Sequence, residues 1–455
     1  MESVQLPAGV ILPSRTLFGF PRGAALIVAV EFWERYSFFC VLSILALFVT
    51  AAPAQGGLGW SEGRAYSLVG LYTGLMYALP MLGAVFADRF WGYRRAITAG
   101  CLVMLAGHLV LASPASVGLG FYIGLACLIG GNGLMKAAFT VLLGSLFDDR
   151  DPRRDAAYAY YYLSINLGGV AAGVATGWIG GRYGWHAGFI VSSTGMAIAL
   201  LLYLLLGDSW LGSAGRQVQR STAKRAEPRS PAGMARRLSF LLVLALLLCT
   251  YELGSYQLFA TWTLFIQNSV DRNIGSFVVP TTWITSLNFA VIIPATPLLA
   301  MLYVWLGRRR CNFDIVRRYA LCLLLGATAL AIFGACAALS SLGGKPVWIY
   351  PAVGIVLMAT GEMIAWTSTL GAIYQLAPRQ LLASVFGAFV ALTMGGSGVA
   401  SSWVAQFAAP LGLTRYFFGL AGMSAAGAVV ALLIRPSLQR LLVRAGATMP
   451  SGISQ

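Results

Sequence analysis

Ser209 to Arg237 reads S-W-L-G-S-A-G-R-Q-V-Q-R-S-T-A-K-R-A-E-P-R-S-P-A-G-M-A-R-R. It is the only long polar stretch in the chain. It mixes Gly, Ser and Pro with Arg216, Arg220, Lys224, Arg225, Arg229, Arg236 and Arg237. On both sides of it, apolar runs of about 18 residues or more recur from near residue 23 to near residue 436. Only 10% of the chain is charged, against about 25% in a soluble chain, so the solvent of these runs is lipid. The basic segment is therefore a linker between two hydrophobic halves.

Working outward, the spacing predicts an all-α protein of twelve spans, at 23–50, 61–88, 94–113, 116–147, 155–181, 186–207, 238–267, 281–306, 316–340, 347–376, 381–408 and 414–434. Charge tests this count. With the N-terminus cytoplasmic, the outside loops hold only Arg64, Arg182, Arg272, Lys345 and Arg415. Arg35 and Lys136 lie within spans, and every other Lys or Arg falls on an inner segment. A wrong count would scramble that alternation, so both termini are expected inside. The organisation read from this is a six-helix bundle over 1–208, the linker 209–237, a second bundle over 238–436 and a cytoplasmic tail 437–455.

The net charge of +16 could point to nucleic acid, but membrane topology accounts for it and no nucleic-acid partner is expected. Met1–Pro21 is short and polar, and the first apolar run is too long for a cleavable signal and holds charges. Cys40, Cys101, Cys127, Cys249, Cys311, Cys322 and Cys336 lie in or beside apolar runs without metal spacing, and read as packing residues. Neither His108 nor His186 has a nucleophile near it in sequence, so no enzyme and no cofactor is expected.

The six-plus-six division resembles the major facilitator superfamily, whose halves rock about a midplane site. G-A-V-F-A-D-R-F-W-G-Y-R-R, Gly83 to Arg95, resembles that superfamily's G-x-x-x-A-D-x-x-G-R/K loop. Gly83 and Ala87 permit close helix contact, and Asp88 can take an arginine or a helix N-terminus.

A charge at mid-membrane costs about 2.5–3.5 kcal/mol on insertion scales, so each one needs a reason. Glu31, Glu34 and Arg35 sit at i, i+3 and i+4, on one helix face, where Glu31 can pair with Arg35. Two acids with one base leave a surplus carboxylate suited to proton binding, although a self-neutralising cluster is the simpler alternative. Lys136 lies in G-N-G-L-M-K, too deep to reach the surface easily, and could equally pair with Glu31 or Glu34. Glu252 and Glu362 are single acids in apolar surroundings, either functional or hydrogen-bonded core acids. Tyr77, Asn166, Ser286 and Asn288 lie at matching depth, and the asparagines could be interhelical glue. A zwitterion, its carboxylate toward Arg35 and Lys136 and its amine toward Glu252 and Glu362, would complement this layout.

E-F-W-E-R-Y-S-F-F, Glu31 to Phe39, resembles the E-x-x-E-R-F-S-Y-Y signature of proton-dependent oligopeptide transporters. Y-Y-L-S-I-N-L-G, Tyr161 to Gly168, resembles that family's F-Y-x-x-I-N-x-G motif, and the Lys136 segment, Trp283–Asn288 and Glu362 before Leu376–Pro378 also match. The resemblance implies proton-driven import of di- and tripeptides through the bacterial inner membrane, with no cofactor beyond the proton gradient. It implies proton coupling at Glu31 and Glu34 beside Arg35, a substrate carboxylate on Arg35 and Lys136, and an amino end on Glu362, Asn166 and Asn288, with Tyr77 touching the peptide. A monomer in lipid is expected.

The departures are substantial. The family's Y-Y-G-M-R is here F-F-C-V-L, Phe38 to Leu42, so two phenols and an arginine are missing. The resemblance makes that arginine the gate partner of a span-seven acid, which Glu252 resembles. Leu248 and Phe389 replace tryptophans, and Trp366–Thr367 replaces a Ser-Pro. Phe39 and Trp366 are therefore read as substrate-facing, and Glu252 as part of proton coupling. The reading is a symporter of small peptides or peptide-like amino-acid derivatives. Its rival is a same-fold carrier of a siderophore or a peptide-derived natural product, possible as an exporter.

Overall fold

The computed structural model describes residues 16–17, 19–113, 117–148, 151, 153–216, 231–309, 313–378 and 381–447. Residues 217–230 of the linker, 448–455 of the tail, Cys311, and the loop charges Arg15, Arg150, Arg310 and Arg379 lie outside the described residues. Among the described residues, 12 helices are long and apolar enough to cross a membrane. They are α1 (Arg22–Thr50), α2 (Glu62–Trp91), α3 (Tyr93–Ala112), α4 (Leu119–Gly144), α5 (Arg153–Tyr183) and α6 (Trp185–Leu211). Then follow α7 (Ala232–Phe259), α8 (Thr281–Leu306), α9 (Ile315–Ser341), α10 (Ile349–Leu376), α11 (Ser384–Leu411) and α12 (Leu413–Val443). The protein is a multi-pass integral membrane protein. Leu82, Leu205, Trp403 and Leu433 are exposed along these helices, as lipid-facing side chains are.

Most expected boundaries agree within a few residues. The seventh run does not stay one helix: α7 stops at Phe259, and Thr261–Ser269 forms a separate two-turn helix. That piece is held by Trp262, which stacks on Phe333 of α9 at 3.9 Å between ring centroids. The last helix runs past Pro436 to Val443, further than the apolar run suggested, because its final turns carry arginines rather than apolar residues.

The packing divides into two units, 1–41 with 79–221 and 42–78 with 222–455. The division passes through α1 and α2 as well as through the linker region. In the first unit α3 packs on α4 and α6, and α5 on α6. The α3–α4 approach needs glycine: a Cβ on Gly100 would stand 2.6 Å from the Gly131 carbonyl oxygen, and one on Gly107 2.7 Å from that of Gly124. Small residues in this role let two backbones touch in lipid, where no hydrophobic force separates helix from solvent. In the second unit α9 is central, packed on α12, α10 and α7. Its start is capped by Asp314, which accepts from the amides of Val316 and Arg317 and pairs with Arg435 at 2.7 Å.

The Gly83–Arg95 stretch explains one feature of the site. A Cβ on Gly83 would lie 1.9 Å from the Gly133 oxygen, so α2 presses on α4 one turn before Lys136. Ala87 is fully buried. Asp88 is set against Tyr93, not an arginine, and the chain turns at Gly92, whose φ of +73° suits glycine. Gly83→Val is expected to destabilise the protein by about 3 kcal/mol or more, since backbone atoms cannot yield as a flexible side chain does. Thermal melting in detergent measures this, and a melting temperature equal to that of the parent would refute the contact.

Candidate functional site

Each unit carries its own buried polar cluster. In the first, α1 presents Glu31, Glu34 and Arg35 on one face, at 0%, 0% and 3% exposure. Arg35 forms a two-pronged ion pair with Glu34, Nε to Oε2 and Nη2 to Oε1, both at 2.5 Å. Its Nη2 also donates to Asn132 Oδ1 at 2.8 Å, and its guanidinium lies 4.6 Å from the centre of the Phe38 ring. The Glu31 carboxylate stands 3.7 Å from Arg35 and is ion-paired with Lys136.

This differs from the pairing read off the sequence. The i, i+4 pair Glu31–Arg35 is the weaker contact, because a planar guanidinium binds a carboxylate best with two parallel bonds, and Glu34 meets that geometry. The surplus carboxylate expected on α1 is neutralised by Lys136, so the cluster holds two acids and two bases. Lys136 further sits over the Tyr161 ring at 5.5 Å. The Tyr161 hydroxyl faces Glu31 without making a hydrogen bond of normal geometry, and both it and Glu31 Oε2 are buried without a partner among the described residues.

The α5 motif positions this side. A Cβ on Gly168 would meet the Phe32 oxygen at 2.8 Å and the Arg35 Cβ at 3.2 Å, so this glycine brings α5 against α1 beside the charges. Asn166 is buried but donates to its own helix at Tyr162 O, 3.0 Å away, and among the described residues no hydrogen bond joins it to Glu31, Glu34 or Lys136. Phe39 is buried against Phe38, with ring centroids 4.9 Å apart.

In the second unit, Glu252 of α7 is 3% exposed and accepts a hydrogen bond from Trp366 Nε1 of α10 at 3.2 Å. Glu252 and Glu362 stand close enough for their charges to interact. The Asn288 amide lies against Glu362, while its Oδ1 has no partner among the described residues. No salt bridge of Glu252 or Glu362 to a base is present among the described residues, and position 42 is a buried leucine. The packing explains the placement. Ile292 and Leu299 of α8 close on Ala359 and Met363 of α10, and α8 breaks at Ser286, just before Asn288. Tyr77 meets the Tyr256 ring at 6.4 Å, and Trp366 meets Phe389 edge-on at 6.3 Å. Phe389 lies at the start of a π turn, Ala391–Gly396, a feature frequent at functional sites.

The structure thus brings together Glu31, Glu34, Arg35 and Lys136 in one cluster, and Glu252, Glu362, Asn288 and Trp366 in the other, with Tyr77 packed on Tyr256 in the vicinity of the second. Asn132, Tyr161 and Tyr256 were not singled out from the sequence. Asn132 precedes Lys136 by one helical turn, a spacing that carried the signal; Tyr256 left none. His108 and Ser192, distant in sequence, are 3.0 Å apart, but the Ser192 hydroxyl donates to Phe189 O and His108 Nε2 has no partner among the described residues. Among the described residues no third group orients that pair as a catalytic base would need.

Comparison with known proteins agrees with this architecture. The chain is 28% identical to the peptide transporter YePEPT of Yersinia enterocolitica subsp. palearctica serotype O:3, over 84% of this chain and 87% of that protein. It is 27% identical to the dipeptide and tripeptide permease A of Chromobacterium violaceum, over 92% and 94%. A crystal structure of peptide transporter POT in complex with sulfate superposes with a TM-score of 0.87 at 24% identity, covering 94% of this chain and 97% of that one. A POT family transporter in complex with 5-aminolevulinic acid gives 0.86 at 22% identity, covering 94% and 99%. At such identities the two structures establish the shared fold. The family model described as POT family matches residues 94–226 and 214–414, and this chain belongs to the POT family.

Proposed function

We propose that the protein is a proton-coupled symporter of small peptides or peptide-like amino-acid derivatives, working by alternating access in the inner membrane with both termini cytoplasmic. The observation that carries this reading is the pairing in the first cluster, where each base already holds a carboxylate. A substrate carboxylate arriving at Lys136 or Arg35 competes with Glu31 or Glu34. The displaced acid is then buried without its cation, a state that a proton relieves. Substrate and proton therefore bind in support of each other, which is the thermodynamic content of coupling.

The amino end of the substrate is assigned to Glu362 with Asn288, and Tyr77, Asn166, Phe39 and Trp366 to its side chains and backbone. Glu252 is a further coupling group that also faces the substrate's cationic end beside Glu362, and the proton gradient is the sole energy source. Two relatives support the substrate class, the Yersinia peptide transporter and the Chromobacterium dipeptide and tripeptide permease. Trp366 favours the rival reading of another, peptide-derived solute, because an indole fixed on Glu252 occupies space in the second cluster and changes what that cluster offers a substrate.

Reconstituted vesicles test both readings. Dialanine should accumulate when the outside is made acidic. Glu31→Gln and Glu34→Gln should lose accumulation by at least about tenfold while keeping exchange of labelled for unlabelled substrate. Gradient-driven uptake at the parent rate in both variants would sink the coupling assignment. Accumulation of a peptide derivative but of no di- or tripeptide would favour the rival.

A further inference from the structure

The first turns of α3 and the last turns of α6 enclose an open groove of about 620 Å³ that the transport reading does not use. Its rim carries Arg94, Arg95 and Arg216, with Asp208 the acid opposite them. Arg94 Nη2 and Arg216 Nη2 share one oxygen of Asp208, at 2.5 and 2.8 Å, and Arg94 Nη1 donates to Gly212 O at 2.9 Å. The shared acid gathers two guanidinium groups and neutralises only one. Arg95 is exposed and makes no hydrogen bond or ion pair among the described residues. The groove therefore keeps two positive charges in excess.

A second, independent observation points to a ligand. Tyr203 lines the groove at 3% exposure, and its hydroxyl has no hydrogen-bond partner among the described residues although Arg94 is near. A buried phenol with an unused donor near Arg94, in a groove lined by two further guanidinium groups, is a set suited to an anionic oxygen. The walls say what carries that oxygen. Leu102 and Leu204 are half exposed, and Leu102 lies two turns beyond Arg94 and Arg95 on α3, about 11–12 Å below them along the helix. Trp91 stands at the rim, where amphipathic aromatics mark the headgroup level. Charge above and bare hydrocarbon below is the profile of a phospholipid, and basic pockets between spanning helices take anionic headgroups.

We propose that this groove binds the phosphate of an anionic phospholipid, with one acyl chain laid along Leu102 and Leu204. The lipid oxygen takes the Tyr203 hydroxyl proton as a hydrogen bond, and Arg95 and Arg216 hold the charge. The site lies wholly within the first unit and stands whether or not the transported solute is a peptide.

The test is lipid titration of the purified full chain in detergent, read by native mass spectrometry. Phosphatidylglycerol should bind at least about fivefold tighter than phosphatidylcholine, since each surface cation contributes about that factor. Arg95→Ala should weaken phosphatidylglycerol about fivefold, Arg95→Ala with Arg216→Ala more, and Tyr203→Phe measurably, with phosphatidylcholine unmoved. Arg308→Ala, an exposed basic residue at the end of another helix, should change nothing. Inorganic phosphate at the lipid concentration should not displace phosphatidylglycerol. Equal binding of the two lipids, parent-like binding by the double variant, or displacement by phosphate alone would each overturn the proposal. Arg95 and Arg216 are exposed enough that unaltered melting without lipid should confirm that the variants fold.

Discussion

Arg35→Ala is expected to destabilise the protein by about 3–5 kcal/mol and to abolish transport, because it strands a fully buried carboxylate. Glu34 would lose both of its 2.5 Å bonds, and Asn132 its 2.8 Å donor. Removing both charges, as in Glu34→Gln with Arg35→Gln, should recover most of the stability and none of the coupled uptake. A cluster that is merely structural would let the double variant transport. Lys136→Ala acts on the other half of the same cluster. It leaves Glu31, whose Oε2 already lacks a partner, without its cation, so melting should fall by a similar amount. Affinity for a substrate carboxylate should fall by about a hundredfold or more, the loss expected when a buried charge is left unpaired. Detergent melting and scintillation-proximity binding read the two effects separately. Parent-like binding by Lys136→Ala would remove it from the substrate site.

The second cluster should answer in the opposite sense. Two acids that face each other with no base paired to them among the described residues repel when both are charged, so Glu252→Gln is expected to raise stability by on the order of 1 kcal/mol. The same change should weaken binding of a substrate ammonium by about tenfold, since a neutral amide cannot replace the charge. Glu362→Gln should cost binding at least as much, because Asn288 alone then faces the amine. Trp366→Phe, which removes the indole donor at 3.2 Å, should bring a loss of the size of one hydrogen bond to a charged group, about 1.5–3 kcal/mol. A Glu252→Gln variant that melts lower than the parent and binds as before would make Glu252 a structural acid. Leu42→Arg supplies the base that the resemblance led one to expect, and should pair with Glu252 and weaken the native substrate.

The span count, the apolar surface and the identity of the intramembrane charges were legible in the sequence, because lipid imposes one rule on every residue: apolar for about twenty residues, or a reason not to be. The α1 face was equally legible, since i, i+3 and i+4 coincide on any helix. Gly83 and Gly168 were visible as motif glycines, but what they bring together was not. A helix contact depends on which backbone approaches, and that is a property of two helices at once.

Pairing was decided by tertiary structure alone. From the sequence Arg35 had Glu31 or a substrate as its partner, and geometry selected Glu34 through the two-pronged bond while α4 delivered Lys136 to Glu31. The acids Glu252 and Glu362 were read as solitary because 109 intervening positions hide their proximity. Trp366 was read as substrate-facing, and the fold makes it the hydrogen-bond donor to Glu252, the acid that Leu42 had left without its expected arginine. The sequence by itself determined which charges enter the membrane, since the cost of burying each is paid by that residue. Only the tertiary structure decided which charges cancel, since Coulomb energy falls with distance through space and is indifferent to distance along the chain.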